Sequence, residues 1–242
     1  MFFFAAPEEK ALPFLYPHGY SWDFCFMSIL SRVVGMVSRG AEAVASARIA
    51  VMSPMNDRSG EHRILFKLFE NGLPAYHLRR PHWSASRCSS WIESVPAKWR
   101  SRIVIHQYPH LVRKYNLGGF HQSADSALPG VSGISGKISA LCEDFSDIQK
   151  IGKHCRRVML GPVFPPEKYD VTVPRRTLGE YAAIAAYWRK QGGKAEIFAF
   201  GGVSAENIRR CREAGFDGVV VVGAVWDTSD PVKAYKQLVR KW

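Results

Sequence analysis

Short apolar runs alternate with amphipathic segments along most of the chain. The apolar runs lie at residues 49–52, 75–78, 103–105, 119–121, 138–141, 157–160, 197–200 and 218–222. Helical spacing of apolar positions and bounding turn residues predict helices at residues 61–70, 89–93, 110–115, 145–150, 178–191, 205–214 and 231–241. Eight strands that alternate with helices predict a (β/α)8 barrel, although an open, doubly wound sheet fits the same alternation.

The apolar run at residues 218–222 shows no alternation of polar and apolar positions. A strand of this kind has both faces covered, as in a parallel sheet or a barrel. With the strand at residues 197–200 and the helix between them, it makes a βαβ unit. This unit favours a parallel arrangement for the whole domain.

The N-terminal residues 1–46 precede the first predicted strand and are predicted to be an extension of a single domain at residues 47–242. Their most apolar stretch, residues 24–37, is interrupted by Arg32 and is shorter than the roughly 20 apolar residues that a membrane span needs. Glu8 and Glu9 stand where an export signal has its basic start. An amphipathic helix within the extension and a translation start at Met36 both stay open. We expect no association with a membrane.

The composition is that of a globular protein, with 47% hydrophobic residues and a formal net charge of +12. The basic residues are scattered and no base-stacking motif accompanies them, so we expect phosphorylated small molecules and not nucleic acid as partners. The five cysteines are odd in number and include no CxxC pair, which predicts reduced thiols in the cytoplasm. Assembly into a homo-oligomer stays open.

Polar side chains follow most of the predicted strands, at the end of the barrel where ligands bind in this fold. The second to sixth strands end in His77, Arg79, Arg80 and His82, in His106 and Gln107, in His121, Gln122 and Asp125, in Glu143 and Asp144, and in Glu167, Lys168 and Tyr169. A histidine at a strand end is also common as a structural residue, so each of these positions is a candidate and no more.

Glycines follow the last two strands, as Gly201-Gly202 and as Gly223 after Val222. Backbone N–H groups at such glycines can approach a phosphate without a Cβ in the way, and the loops after the seventh and eighth strands form a phosphate site in many barrels. We therefore predict a phosphate site here and expect a side chain at Gly202 or Gly223 to fill the space of the phosphate. The alternative is that these are turn glycines only.

Several motifs occur in a fixed order along roughly the last four-fifths of the chain. They are HLRRP at residues 77–81, RIVIHQ at 102–107, GGFH at 118–121, LGPVFP at 160–165, GGVSAEN at 201–207 and EAGFDGVVVVGAVW at 213–226. Together they resemble the thiamine phosphate synthase and TenI family. The resemblance implies a (β/α)8 barrel that acts in thiamine biosynthesis.

A resemblance to the synthases implies the coupling of a pyrimidine diphosphate to a thiazole phosphate, with pyrophosphate as the leaving group. Arg79 matches the family's arginine, and Lys168 stands one position away from the family's lysine. The resemblance implies catalytic roles for Arg79, Glu143 and Lys168. The substrate-binding residues that it implies, together with the strand-end argument, are His77, Arg80, His106, Gln107, His121, Gly201, Gly202, Val222 and Gly223.

The metal site departs from the family pattern. Members of the family bind Mg²⁺ through aspartates after the third and fourth strands, because a hard cation prefers carboxylate oxygens. This chain has His106 and Gln107 at the first place, and only Asp125, out of register, at the second. We therefore expect Mg²⁺ to bind only together with a diphosphate substrate, with Asp125 as a weak ligand.

Two other functions stay open. TenI-type thiazole tautomerases use no metal and rely on a histidine after the fifth strand, where this chain has Glu143. A carboxylate transfers protons when burial raises its pKa, but Glu143 would equally serve as the cap of the following helix. Loss of several family positions together also fits a non-catalytic protein that binds a thiamine-related phosphate.

Overall fold

A computed structural model describes residues 48–126, 134, 137–165 and 174–242. The predicted extension at residues 1–46 and the candidate Lys168 lie outside these residues, and both predictions stay as they stand.

Eight parallel strands close into a barrel in sequence order. They are β1 (Ile49–Met52), β2 (Tyr76–Leu78), β3 (Ile103–Ile105), β4 (Gly119–Ser123), β5 (Ile138–Cys142), β6 (Arg157–Leu160), β7 (Glu196–Phe200) and β8 (Gly218–Val221). Strand β1 pairs with β8 through Ile49 and Val219 and with β2 through Met52 and His77. The (β/α)8 barrel is thereby confirmed, and the open sheet was the wrong alternative.

Helices connect the strands around the outside of the barrel. They are α1 (Glu61–Glu70), α2 (Ala85–Glu93), α3 (Ala97–Arg100), α4 (His110–Lys114), α5 (Phe145–Ile151), α6 (Leu178–Lys190), α7 (Ile208–Glu213), α8 (Gly223–Trp226) and α9 (Pro231–Lys241). A 3₁₀ turn, Gly152–His154, follows α5. Helix α6 begins in a capping box between Thr177 and Glu180, which satisfies two otherwise unpaired N–H groups.

Two helices begin elsewhere than the sequence pattern predicts. Helix α2 begins at Ala85 because the Ser84 side chain accepts a hydrogen bond from the backbone N–H of Arg87. Helix α7 begins only at Ile208. The Asn207 side chain accepts from the N–H of Ser204 and donates to the carbonyl of Gly202, which holds the chain in a turn before the helix.

Two hydrophobic layers stabilise the barrel. The larger lies between the strands and the helices. The smaller fills the inside of the barrel and consists of Ala50, Met52, Ala75, Met159, Phe198 and Val220. The interior is thus a packed core, and any ligand is confined to the ends of the strands.

None of the helices in the described part of the chain has the length and apolar content that a bilayer crossing requires.

Candidate active site

Three histidines come together where strands β2, β3 and β4 end. Side chains alternate along a strand, so His77 lies on the same face as Ala75, which belongs to the interior core. His106 follows β3 two residues after Val104, which packs against that core. His121 lies in β4, with its ring centroid 4.5 Å from that of His106. The three imidazoles therefore occupy the mouth of the barrel, directly above its apolar filling.

The contacts of the three rings are short. The Nδ1 atom of His77 lies 3.2 Å from the Nε2 atom of His106, and the ring centroids of His77 and His121 are 5.4 Å apart. The Nδ1 atom of His121 lies 2.9 Å from the hydroxyl of Ser139, a buried residue of β5. The sequence predicted all three histidines as substrate-binding residues, and the structure brings them into one cluster.

Burial lowers the pKa of each of these imidazoles. The pKa of His121 falls to about 3, mainly through desolvation and secondarily through the positive charge of Arg79. Desolvation also places the pKa of His77 and that of His106 well below the usual value, with further lowering by the neighbouring rings. All three rings are therefore neutral at pH 7 and carry nitrogen lone pairs at the mouth of the barrel.

Arg79 lies beside the histidine cluster. It is partly buried, and its charge reaches both His106 and His121, whose pKa values it lowers. Two hydrogen bonds between the Arg79 backbone and the Ser53 hydroxyl, at 3.0 and 3.1 Å, fix its position at the end of β2. These bonds hold the backbone, and the guanidinium, which lies 3.4 Å from the Met55 sulfur, supplies a cation near the histidines.

The sequence predicts Arg80 as a substrate-binding residue, but the structure places its side chain away from the barrel mouth. Its guanidinium is buried on the outer side of β2, where it lies 2.5 Å from the Glu61 carboxylate of α1 and also donates to the carbonyl of Pro54. The same carboxylate accepts a 2.6 Å hydrogen bond from the Tyr76 hydroxyl. This geometry favours a structural role for Arg80, because its charge is already paired inside the protein.

The residues expected to hold Mg²⁺ do not form a carboxylate site. Gln107 donates to the carbonyl of Pro81 at 2.9 Å, and Asp125 is 83% exposed with Lys150 at 3.8 Å. Within the described ranges, His77, His106 and His121 are the one group of histidine, cysteine and carboxylate residues close enough to hold a metal ion. Because Mg²⁺ prefers oxygen ligands, these residues do not fit a resident Mg²⁺ ion.

The glycine turns lie at the same end of the barrel as the histidines. Gly201 and Gly202 follow β7 with φ of 90° and 63°, and Gly223 begins α8 directly after Val222. A Cβ on Gly202 would lie 2.4 Å from the carbonyl oxygen of Phe164, so this glycine is needed for packing of two loops. A side chain at Gly202 would thus collide with backbone before any effect on a phosphate, and the phosphate site at Gly202 stays a prediction. At Gly223 the nearest obstacle is the carboxylate of Asp227, at 2.7 Å from the added Cβ.

The backbone donors expected at the start of α7 are partly used within the protein. The N–H of Ser204 donates to the Asn207 side chain and that of Glu206 to the Ser204 hydroxyl. The loops after β7 and β8 thus offer an anion fewer N–H groups than the sequence pattern suggests.

Glu143 lies at the end of β5, in a half-exposed position. Its carboxylate lies 2.7 Å from the guanidinium of Arg175, and its carbonyl accepts from Arg176 at 3.1 Å. The cap of α5 is the neighbouring Asp144, whose side chain accepts from the N–H of Asp147. Glu143 is therefore neither the helix cap nor a buried acid.

A groove of about 490 Å³ lies beside the loop after β6 and carries three arginines, Arg175, Arg176 and Arg210. These residues do not follow a strand directly, so the pattern of polar residues at strand ends does not indicate them. The adjacent pair Arg175-Arg176 before α6 was the available signal. Together with Arg79, these side chains make this end of the barrel rich in cations, as binding of phosphorylated ligands requires.

The relatives and structural neighbours described here are thiamine-phosphate synthases, also called thiamine phosphate pyrophosphorylases. No family model matches the chain. A thiamine-phosphate synthase of Desulfitobacterium hafniense is 35% identical over 185 residues, which cover 73% of this chain and 86% of that protein. The thiamine phosphate pyrophosphorylases of Bacteroides thetaiotaomicron and Pyrococcus furiosus share its fold, with TM-scores of 0.65 and 0.66 and identities of 22% and 17%. The superpositions cover 80% and 82% of this chain, respectively, and 96% of each of the two neighbours.

The alignment with the Desulfitobacterium protein extends over most of both chains. They agree with the motif order and with the closed barrel. This chain belongs to the thiamine-phosphate synthase family.

Proposed function

We propose that this protein couples a pyrimidine diphosphate to a thiazole phosphate and releases pyrophosphate. Membership of the thiamine-phosphate synthase family supports a function of this class. The observation that carries the proposal is the position of Arg79, fixed at the end of β2 beside the histidine cluster. The glycine turns after β7 and β8 lie three and two strands away around the same mouth.

The coupling reaction needs a cation on its leaving group and a fixed geometry for its two rings. The C–O bond to the diphosphate breaks with its electron pair passing to pyrophosphate, and the thiazole nitrogen forms the new C–N bond. Arg79 is placed to stabilise the negative charge that develops on pyrophosphate. The glycine turns would hold the thiazole phosphate, so that its nitrogen faces the reacting carbon.

Mg²⁺ takes no part in this proposal as a resident ion. The donors at the mouth are imidazole nitrogens and an amide, and Asp125 points to solvent and Lys150. Any Mg²⁺ in the reaction would arrive with the diphosphate substrate.

The test is turnover by the full-length protein with both substrates, followed as formation of thiamine phosphate and of pyrophosphate. We expect both products in equal amounts and a loss of at least tenfold in turnover for Arg79→Ala. Arg209→Ala, which removes an exposed arginine paired with Glu213 on α7, is the matched control and should keep wild-type turnover. Absence of product from the wild type, at substrate concentrations where the thiazole phosphate binds, would leave a binding protein instead of an enzyme.

A thiazole tautomerase is the second candidate. The observation that favours it is the set of three neutral imidazoles at the mouth, in a site without carboxylate ligands. Such a protein would exchange a proton of the thiazole substrate with solvent in the absence of the pyrimidine diphosphate. Deuterium uptake from heavy water into the thiazole phosphate alone would therefore favour the tautomerase over the synthase.

A further inference from the structure

The histidine cluster has the geometry of a ligand set for a metal ion. One nitrogen from each of His77, His106 and His121 can be chosen so that all lie within 4.8 Å of one another. A tetrahedral ion with metal–nitrogen bonds of 2.0–2.1 Å holds its ligand nitrogens about 3.3 Å apart. The Nδ1 of His77 and the Nε2 of His106 are already 3.2 Å apart. Two candidate ligand nitrogens are thus already at the separation that a tetrahedral ion requires.

The surroundings of the rings leave nitrogens free for a ligand. Ser139 contacts Nδ1 of His121 at 2.9 Å, which orients that ring and leaves its Nε2 for another partner. Either nitrogen of His77 is available, because Nδ1 faces Nε2 of His106 and Nε2 is buried with no hydrogen-bond partner among the described residues. The ring can therefore present a lone pair from one nitrogen or the other.

We propose that His77, His106 and His121 bind a divalent first-row transition metal ion, with Zn²⁺ as the best fit. Three imidazoles without a carboxylate suit Zn²⁺ and Co²⁺, whereas Mg²⁺ requires oxygen ligands. The inference concerns a site that the synthase reaction does not presuppose, so it stands independently of the proposed function.

The fourth coordination position lies open towards the mouth of the barrel. His77 and His121 are 1% and 5% exposed, whereas His106 is only partly buried, so the cluster meets solvent on the side of His106. Three protein ligands with one open position are typical of reactive zinc sites. The neighbouring charge of Arg79 favours an anionic oxygen as the fourth ligand. A phosphate or diphosphate oxygen of a substrate has this chemistry.

The experiment uses the full-length protein after removal of metals with a chelator. Titration with Co²⁺ is followed by the visible absorption that tetrahedral nitrogen-ligated cobalt produces. We expect saturation at one equivalent, displacement of cobalt by Zn²⁺, and no displacement by Mg²⁺ in large excess. The readout does not depend on turnover, so a protein that fails the coupling assay but binds cobalt would contradict only the proposed function.

Variants identify the ligands. His106→Ala removes the ligand that is least buried, and we expect it to keep its circular dichroism spectrum and lose the cobalt band. His82→Ala, at an exposed histidine after β2, is the matched control and should bind as the wild type does. Ser139→Ala should weaken the affinity for Co²⁺ by about 10–100-fold, because Ser139 only orients His121. No cobalt band in the wild type, an equal band in His106→Ala, or displacement by Mg²⁺ would each overturn the proposal.

Discussion

Two adjacent arginines at the end of β2 carry out different tasks because side chains alternate along a strand. Arg79 points to the barrel mouth and the histidines, whereas Arg80 points to the helical layer. There the Glu61 carboxylate bonds both the Arg80 guanidinium and the Tyr76 hydroxyl. Burial and this carboxylate raise the pKa of Tyr76, so the hydroxyl remains a donor. The charge of Arg80 is thus paired in a buried network, although its Nε atom makes no hydrogen bond there and lies 3.6 Å from the Asp57 carboxylate.

Arg80→Ala is expected to destabilise the protein far more than Arg79→Ala. The side chains of Arg80 and Glu61 are 3% and 5% exposed, so removal of the arginine leaves a buried carboxylate without its cation. Breaking a buried ion pair from one side costs about 3–5 kcal/mol. Denaturation by urea, followed by circular dichroism, measures both variants, and Arg79→Ala should stay within about 1 kcal/mol of the wild type. Equal losses of stability in the two variants would contradict this assignment.

The sequence could indicate which residues gather at the mouth but not which of them are already engaged elsewhere. His77, His106 and His121 were predictable as neighbours, because each follows or ends a strand and the carboxyl ends of parallel strands meet. It could not show that Arg80 pairs with Glu61, since that contact joins a strand end to the first helix and follows no local pattern. Distances within the histidine cluster likewise depend on the stagger of three strands.

At the scale of elements, regular segments were predicted best. The bounds of α1 and α9, Glu61–Glu70 and Pro231–Lys241, coincide with the predicted ones. Each helix has an apolar face and one clear boundary signal, Asn71-Gly72 after α1 and Asp230-Pro231 before α9. The start of α7 was placed three residues early, since the hydrogen bonds of Asn207 replace the first helical turn. Local side-chain bonds of this kind compete with helix formation, and periodicity does not report them.

The loops after β6 and β7 are hydrogen-bonded to each other and closely packed. The glycines between them therefore have a structural role. The N–H of Phe164 donates to the carbonyl of Gly201 at 3.2 Å, and that of Val163 to the carbonyl of Phe200 at 2.9 Å. A side chain at Gly202 would meet the carbonyl oxygens of both Phe164 and Pro165, at 2.4 and 2.6 Å. The close approach of two loops from separate strands requires glycine here.

The two glycine sites are therefore expected to respond differently to substitution. Gly202→Val should lower the stability of the fold, because its Cβ meets backbone and its φ is positive. Gly223→Val should fold, since the obstacle is the end of the Asp227 side chain. Gly223→Val should weaken binding of thiazole phosphate by about tenfold to a hundredfold, because one charge-assisted hydrogen bond to the phosphate is lost.

Binding titrations with thiazole phosphate and with the dephosphorylated thiazole separate the two effects in Gly223→Val. Only the phosphorylated compound should lose affinity, and circular dichroism checks that the variant is folded. If Gly223→Val binds thiazole phosphate as tightly as the wild type does, the phosphate is not held at the end of β8.

At the scale of the whole molecule, packing of the helices on the barrel buries four cysteine thiols. Cys88, Cys142, Cys155 and Cys211 are all buried, and desolvation raises the pKa of each thiol. The pKa of Cys155 and that of Cys211 are raised to about 12. Since only the thiolate reacts, access of a reagent to these positions depends on unfolding.

These four thiols are expected to be unreactive in the native protein. In a Cys25→Ser background, a disulfide reagent that reports thiols by colour should react with fewer than one thiol per chain over an hour at pH 8. In denaturant, the same protein should react with the reagent at all four thiols. Rapid reaction without denaturant would show that the layer between barrel and helices opens locally, at a cost far below that of global unfolding.

Eight-fold alternation made the barrel predictable because each strand and helix repeats the same simple pattern. Closure follows from β1, which pairs with β8 on one side and β2 on the other. The N–H of Val219 in β8 donates to the carbonyl of Arg48 at 2.8 Å, and the Arg48 side chain lies 3.4 Å from Glu196 in β7. The pairing that closes the sheet thus begins at residue 48.

A chain that begins at Arg48, and so lacks residues 1–47, is therefore expected to fold as a barrel. It should keep the far-ultraviolet circular dichroism of residues 48–242 and a single cooperative unfolding transition, because every strand retains both of its neighbours. A chain that begins at Ser53 is the matched control. It lacks β1, so the edges of β2 and β8 are left unpaired, and we expect it to aggregate or to lose cooperative unfolding. Failure of both truncated chains to fold would show that the N-terminal residues contribute to the barrel itself and would contradict their prediction as an appendage.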